Sequence, residues 1–114
     1  METDQNLINF DDWKKLNMKV GKILDVSRVP KTDKLYKLKV DIGNKVIQIV
    51  TSLVPYYTED ELLNKNIIVL VNLKPVKFAG EVSEGMLLCA ETDDGSKCVL
   101  LTTEKDIEPG TNIT

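Results

Sequence analysis

Four features of this sequence of 114 residues could take part in catalysis or ligand binding. They are paired carboxylates, two cysteines, many lysines and a Ser-Glu-Gly-Met segment. Paired carboxylates such as Glu81 and Glu84 could supply the acid and base of a hydrolase. Histidine is absent, which removes both the commonest general base and the commonest zinc ligand. With no nucleophile–base arrangement and no metal motif, the sequence predicts a protein that is not an enzyme and has no metal or cofactor.

The two cysteines, Cys89 and Cys98, lie in or beside short apolar runs. Their spacing would allow a disulfide across a hairpin. In a cytosolic protein, however, such a pair more often consists of buried free thiols. We therefore expect free thiols and keep the disulfide as the alternative.

Charge is distributed unevenly along the chain. The net charge of −3 argues against a general binder of polyanions. Residues 13–58 nevertheless carry ten lysine and arginine side chains against three aspartates, whereas residues 81–114 carry eight acids against two lysines. This polarity indicates one phosphate-facing surface on an acidic body. A solvated lysine-rich sheet face would give the same pattern, and charge alone does not separate the two.

The hydrophobic pattern predicts short strands, at residues 18–26, 35–42, 46–52, 67–71, 86–91 and 97–101. The second strand alternates cleanly, with Tyr36 on the apolar face and lysines on the other. Gly21 interrupts the first strand and predicts a bulge or sharp bend there. Thr58 and Glu61 predict the capping box of a short helix after the third strand. Residues 72–85 are expected to form a loop.

These elements predict an all-β protein, a small closed Greek-key barrel of five strands with a short helix between strands three and four. We expect a helical segment at 1–17, the barrel at 18–92, and a last strand and tail at 93–114. Phe10, Trp13 and Leu16 share one side of the first segment and should pack on the barrel or on a partner chain. The sequence has no apolar run of about 20 residues and begins with acidic, polar residues, so we expect a cytoplasmic protein without membrane contact.

Four segments of the sequence resemble the tRNA-binding domain family. They read KVGKI at 19–23, DKL at 33–35 continuing to LKVDIG at 38–43, VNLKP at 71–75, and SEGML at 83–87. The resemblance implies an OB-fold barrel. It is closest to the free-standing archaeal form, described as a β subunit of methionine–tRNA ligase, and to the C-terminal domain of methionyl-tRNA synthetase. The sequence departs from the family pattern in two places. Family members often carry His-Pro before the DKL segment, where this sequence has Val29-Pro30-Lys31-Thr32, and a Ser-Gly pair is common where it has Thr51-Ser52.

The resemblance implies a non-catalytic protein that recognises folded tRNA by shape and phosphate contacts. It also implies that the protein assists an aminoacyl-tRNA synthetase, most naturally the methionyl enzyme, and forms a homodimer through segments outside the barrel, residues 93–114 among them. The alternative is a protein–protein interaction module of a synthetase complex with little RNA binding. The six aromatic residues form no obvious platform on a strand face, which argues against a general single-strand binder.

The candidate RNA contacts are chosen because RNA backbones need fixed positive charge and hydrogen-bond donors. A hydroxyl at Ser83 could bond a phosphate or ribose, and the thioether of Met86 could contact a base or sugar. Gly85 would let the backbone approach closely. Met86 could equally be the first core residue of its strand. The predicted RNA-binding residues are Arg28, Lys31, Lys34, Lys37, Lys39, Asn72, Lys74, Lys77, Ser83, Gly85 and Met86.

Overall fold

A computed structural model describes residues 6–114. Its elements are α1 (Phe10–Lys14), β1 (Met18–Arg28), β2 (Tyr36–Asp41), β3 (Val46–Thr51), α2 (Glu59–Leu62), β4 (Asn66–Leu70), β5 (Val76–Phe78), β6 (Glu81–Ser83), β7 (Met86–Leu87), β8 (Cys89–Glu91) and β9 (Cys98–Leu100). The main sheet is antiparallel and runs in the order β3-β2-β1-β4-β7. At its two ends, the backbone N–H of Glu84, just before β7, donates to the carbonyl of Gln48 on β3 at 2.7 Å. The sheet thus nearly closes into the predicted five-stranded OB-type barrel.

The second strand alternates as predicted, and its apolar residues form part of the barrel core. Leu38 and Val40 are fully buried, whereas Lys39 between them is exposed. Ile23 from β1 and Ile49 from β3 fill the same interior and are also fully buried. Because successive strand residues point to opposite faces, this alternation fixes the register of β2 against both neighbours.

The short helix α2 begins as predicted. The Thr58 hydroxyl accepts a hydrogen bond from the Glu61 backbone N–H at 3.2 Å, and the Glu61 carboxylate accepts one from the Thr58 N–H at 2.8 Å. This reciprocal pair satisfies two donors that a helix start otherwise leaves unpaired. Leu62 is fully buried and anchors the helix to the barrel.

The bulge predicted at Gly21 lies elsewhere. The β1–β2 register shifts between Ile23 and Asp25, so the extra residue is Leu24, which is exposed. Gly21 is needed for a different reason. A Cβ atom at this position would lie 2.7 Å from a methyl group of Val40 and 3.0 Å from one of Val69. The glycine therefore lets strands cross closely rather than adding a residue to one of them.

Two further sequence expectations need correction. Residues 72–85 are not simply a loop, because they contain the hairpin β5–β6. The strand predicted at 86–91 is divided at Leu88: β7 pairs with β4, whereas β8 pairs with β9 in a separate ribbon. Short strands that exchange partners give too few alternating residues for a period to be read from sequence.

The segments before and after the barrel are held to β1 and β4. Helix α1 spans a single turn, and Phe10, Trp13 and Leu16 are 70%, 43% and 44% exposed, so the expectation that they pack on the barrel is wrong. The remaining alternative is that they pack on a partner chain.

At the other end of the chain, residues 110–113 run along β1, where the Gly110 N–H donates to the Val20 carbonyl at 2.7 Å. Residues 1–5 of the predicted helical segment lie outside the part of the chain that the structure describes. Among residues 6–114, no helix is long and apolar enough to cross a membrane.

Candidate nucleic-acid interface

Three exposed cations lie at one end of the barrel, on the connection from β1 to β2. Arg28 ends β1, and Lys31 and Lys34 follow; we call these three residues the basic loop. Hydrogen bonds hold its conformation: the Arg28 guanidinium donates to the Thr32 carbonyl at 3.2 Å, and the Thr32 hydroxyl donates to the Val29 carbonyl at 2.8 Å. Within residues 6–114, neither lysine of this loop forms a salt bridge. The backbone of the loop is thus held in place, while its two lysine side chains are exposed beside the equally exposed Asp33.

An apolar groove of about 260 Å³ lies beside the basic loop. It is lined by Leu35, Val50, Thr51, Ser52, Phe78 and Met86. Met86 and Phe78 are half-buried, so each offers part of its side chain to the groove. Phe78 was not a predicted site residue, because it belongs to the unpredicted hairpin β5–β6. Two short runs flanking Ala79-Gly80 were the signal that could have revealed this hairpin.

The two lysines on the outer face of β2 are occupied by neighbouring side chains. The Lys37 ammonium lies 3.4 Å from a carboxylate oxygen of Glu81, and Lys39 donates to the side-chain carbonyl of Gln48 at 2.8 Å. Glu84 in turn accepts from the Gln48 backbone N–H at 2.8 Å. The carboxylates considered above as an acid–base pair therefore bind the hairpin to the sheet, and they neutralise part of this lysine face.

Ser83 and Gly85 lie where β3 meets β6 and β7, a boundary we call the seam. The Ser83 hydroxyl is fully buried; it accepts from the Val50 N–H at 3.0 Å and donates to the Gly85 carbonyl at 2.8 Å. A Cβ atom on Gly85 would lie 2.8 Å from the Leu70 carbonyl oxygen. The hydroxyl has no free surface for RNA in this fold, and the glycine is required by the approach of β4 and β7. Both residues thus position the groove wall rather than line a ligand site.

Asn72 also has a role within the fold. Its side-chain oxygen accepts from the Asn17 N–H at 3.0 Å, and its amide nitrogen donates to the Lys15 carbonyl at 2.7 Å. These bonds fasten the N-terminal segment to the end of β4. Lys74 and Lys77 are exposed, the first between β4 and β5 and the second on β5, next to Phe78. The structure thus groups the three cations of the basic loop, places Met86 beside them, and sets Asn72 apart.

A second cavity, of about 380 Å³, also adjoins the basic loop and shares Thr51 and Ser52 with the apolar groove. Its lining includes Lys34, Tyr56, Cys89, Glu91 and Cys98, and both cysteines are free thiols. Desolvation, with a smaller contribution from the charge of Glu91, raises the pKa of Tyr56. The Tyr56 hydroxyl donates a hydrogen bond to the Gly95 carbonyl at 2.6 Å. No group of three potential metal ligands occurs among residues 6–114.

An OB-type barrel with exposed cations beside an apolar groove is typical of nucleic-acid-binding β-barrels. The family model described as "Putative tRNA binding domain" matches residues 18–112. The chain therefore belongs to this family, which confirms the resemblance seen in the sequence.

The similar proteins comprise a curated enzyme and two solved structures. The chain is 46% identical over 106 residues to the methionine–tRNA ligase of Thermococcus onnurineus, covering 93% of this chain and only 14% of that enzyme. A MetRS related protein from Pyrococcus horikoshii superimposes with a TM-score of 0.90 at 39% identity, covering 96% of this chain and all of that one. The CsaA chaperone protein of Picrophilus torridus does so with a TM-score of 0.84 at 36% identity, covering 95% and 100%.

Proposed function

We propose that this chain is a non-catalytic module that binds folded tRNA by shape and phosphate contacts. The observation that carries the proposal is the basic loop: three exposed cations on a segment whose backbone is already held by hydrogen bonds. Phosphate contacts position a protein on RNA, and a loop fixed beforehand loses little conformational entropy when it makes them. Family membership supports tRNA as the RNA concerned.

The aromatic residues of the barrel support recognition of folded rather than single-stranded RNA. Tyr36 is buried and donates to the Tyr57 carbonyl at 2.7 Å, and the Tyr56 hydroxyl is engaged with Gly95. Tyr56, Tyr57 and Phe78 are each half-buried, so the described barrel has no row of fully exposed rings on a strand face. Single-strand binders use several exposed rings in succession. The groove at Phe78 and Met86 is better suited to one unstacked base or ribose beside a phosphate contact.

A filter-binding titration tests this proposal. It compares bulk folded tRNA, the same tRNA after denaturation, and a single-stranded oligonucleotide of equal charge, each at two salt concentrations. We expect folded tRNA to bind most tightly. If the three cations of the basic loop each neutralise one phosphate, affinity should fall about 40-fold between 50 and 200 mM salt, because each contact releases bound counterions.

The other outcomes of this titration are equally informative. Equal binding to all three nucleic acids would show a general polyanion surface and overturn recognition by shape. A salt-insensitive affinity would overturn the phosphate mechanism. Binding to none would favour the alternative function, a protein–protein module of a synthetase complex.

We further propose that the chain acts as a cytoplasmic homodimer that assists methionyl-tRNA synthetase. Exposed apolar side chains outside the main sheet support a partner surface: Leu7, Ile8 and Phe10 before the barrel, and Val99, Leu101 and Ile107 after it. The match to a segment of a methionine–tRNA ligase supports that enzyme as the one assisted. A second weak tRNA contact raises the synthetase's effective affinity through avidity.

Sedimentation velocity of the chain, alone and mixed with a methionyl-tRNA synthetase, tests both parts of this proposal. We expect the chain alone to sediment at twice its mass of 12.8 kDa, and to comigrate with the enzyme when tRNA is added. A monomer at all concentrations would refute the dimer. Independent sedimentation in the presence of tRNA would refute the association.

A further inference from the structure

The two cysteines lie on one face of the ribbon formed by β8 and β9. In this ribbon Cys89 pairs with Leu100, and Glu91 pairs with Cys98. Residues two apart on a strand share a face, so Cys89 and Cys98 are diagonal neighbours on the same side. The side chains of such neighbours are close enough to interact. The hairpin therefore carries a pair of thiols rather than two separate ones.

Both thiols open onto the 380 Å³ cavity beside Lys34, and both cysteines are only partly buried. Burial raises the pKa of the Cys89 thiol to about 12, and the electrostatic interaction with Cys98 adds to the rise. The cavity gives a small molecule access to both sulfur atoms.

A series of hydrogen bonds joins this hairpin to the basic loop. From the hairpin, Gly95 accepts from the Tyr56 hydroxyl at 2.6 Å, and the Leu100 N–H donates to the Tyr57 hydroxyl at 3.1 Å. Tyr56 and Tyr57 lie in the connection from β3 to α2, which we call the tyrosine loop, and in this connection the Val54 N–H donates to the Lys34 carbonyl at 3.1 Å. The hairpin and Lys34 are thus both hydrogen-bonded to the tyrosine loop.

We propose that Cys89 and Cys98 form a reversible thiol–disulfide pair, oxidised by a low-molecular-weight disulfide such as oxidised glutathione, and that oxidation weakens RNA binding by displacing the basic loop. The effect on RNA rests on the function proposed above, whereas formation of the disulfide does not.

The chemistry proceeds in two exchanges. The Cys98 thiolate attacks one sulfur of oxidised glutathione, forming a mixed disulfide and releasing one glutathione, which takes up a proton. The Cys89 sulfur then loses its proton and attacks the Cys98 sulfur, releasing the second glutathione. Two electrons and two protons pass from the protein to the oxidant. Burial raises the pKa of the Cys89 thiol and so disfavours its thiolate as the first nucleophile.

Geometry makes this bond a labile one. Diagonal neighbours in a sheet have Cα atoms about 7–8 Å apart, whereas disulfides span up to about 6.8 Å. Closing the bond must therefore draw β8 and β9 together by roughly 1 Å, which strains the bond and makes it easy to reduce. The same movement acts on Gly95 and Leu100, which the tyrosine loop holds.

The test compares the unmodified chain with Cys98→Ser after equilibration in graded mixtures of oxidised and reduced glutathione. Alkylation and intact mass report the thiols, and filter binding reports tRNA affinity in each redox state. We expect the unmodified chain to lose both thiols together and to bind tRNA about fivefold more weakly when oxidised, with full recovery on reduction. Cys98→Ser should bind tRNA equally in both states and accept at most one glutathione.

Each remaining outcome rejects a stated part of the proposal. Retention of both thiols, mixed disulfides alone, or bridges between chains would refute the internal disulfide. A disulfide that leaves tRNA affinity unchanged would refute its coupling to the basic loop. A reduced protein that binds no tRNA would refute the proposed function and the coupling with it, while the thiol measurement would still decide the disulfide.

Discussion

The seam and the basic loop were both predicted to contact RNA, but the seam residues are buried whereas the loop lysines are exposed. At the seam, the Ser83 hydroxyl is buried with both of its hydrogen bonds made inside the fold, and Gly85 fits against the Leu70 carbonyl. In the basic loop, Lys31 and Lys34 extend into solvent. The seam closes the barrel, whereas the loop offers charge to a ligand.

This difference shows that a short motif can mark a family because the fold requires it. In this barrel the sheet nearly closes between β3 and β7, and Ser83 and Gly85 lie at that closure. The hydroxyl replaces a missing backbone partner for Val50, and the glycine permits close strand packing. Under the proposed function, the seam would affect RNA binding only indirectly, through the position of Met86 in the groove wall.

Ser83→Ala tests most directly whether the seam is structural or contacts RNA. The substitution leaves the buried Val50 N–H and Gly85 carbonyl without a partner, so we expect the free energy of unfolding to fall by about 2 kcal/mol. Urea denaturation with linear extrapolation measures this loss. RNA affinity of the protein that remains folded should change little.

Ser52→Ala is the matched control for this measurement. Ser52 is exposed and forms no side-chain hydrogen bond within the described chain, so its loss should change stability by less than about 0.5 kcal/mol. If Ser83→Ala instead kept full stability and lost tRNA binding, the seam would be a contact surface after all.

Much of the barrel could be predicted because its signals are local. The alternation of β2 and the capping box at Thr58 and Glu61 need only neighbouring residues to be recognised. The apolar run that became β4 is buried on both faces, with Ile67, Ile68 and Val69 all buried. Repeated local agreement of this kind is sufficient to specify a small closed sheet.

The site was harder to predict because its features depend on contacts between distant segments. Nothing near Ser83 in the sequence shows that its hydroxyl will meet Val50, 33 residues earlier. The role of Asn72 likewise depends on Asn17 and Lys15, which precede it by 55 and 57 residues. Side-chain chemistry could suggest which residues bind a phosphate, but only the fold shows which of them are already occupied.

Two lysine substitutions, Lys34→Ala and Lys37→Ala, compare the basic loop with the outer face of β2 as surfaces for tRNA. Each substitution removes one positive charge, so any long-range effect on tRNA attraction is the same for both. Lys34 is exposed in the basic loop, whereas Lys37 lies 3.4 Å from Glu81 and is already partly neutralised. We expect Lys34→Ala to weaken tRNA binding about fivefold, or roughly 1 kcal/mol, and to reduce the salt slope by about one phosphate contact.

Lys37→Ala should weaken tRNA binding less than about twofold, because the positive charge of Lys37 acts mainly on the partly buried Glu81. Lys105→Ala, in the acidic C-terminal segment, serves as a control that lowers the net charge by the same amount. Filter binding at two salt concentrations separates the three variants. Equal losses in all three would mean that net charge alone attracts the RNA. A larger loss for Lys37 than for Lys34 would move the RNA surface from the loop to the outer face of β2, where the Glu81 carboxylate would have to release its lysine when RNA binds.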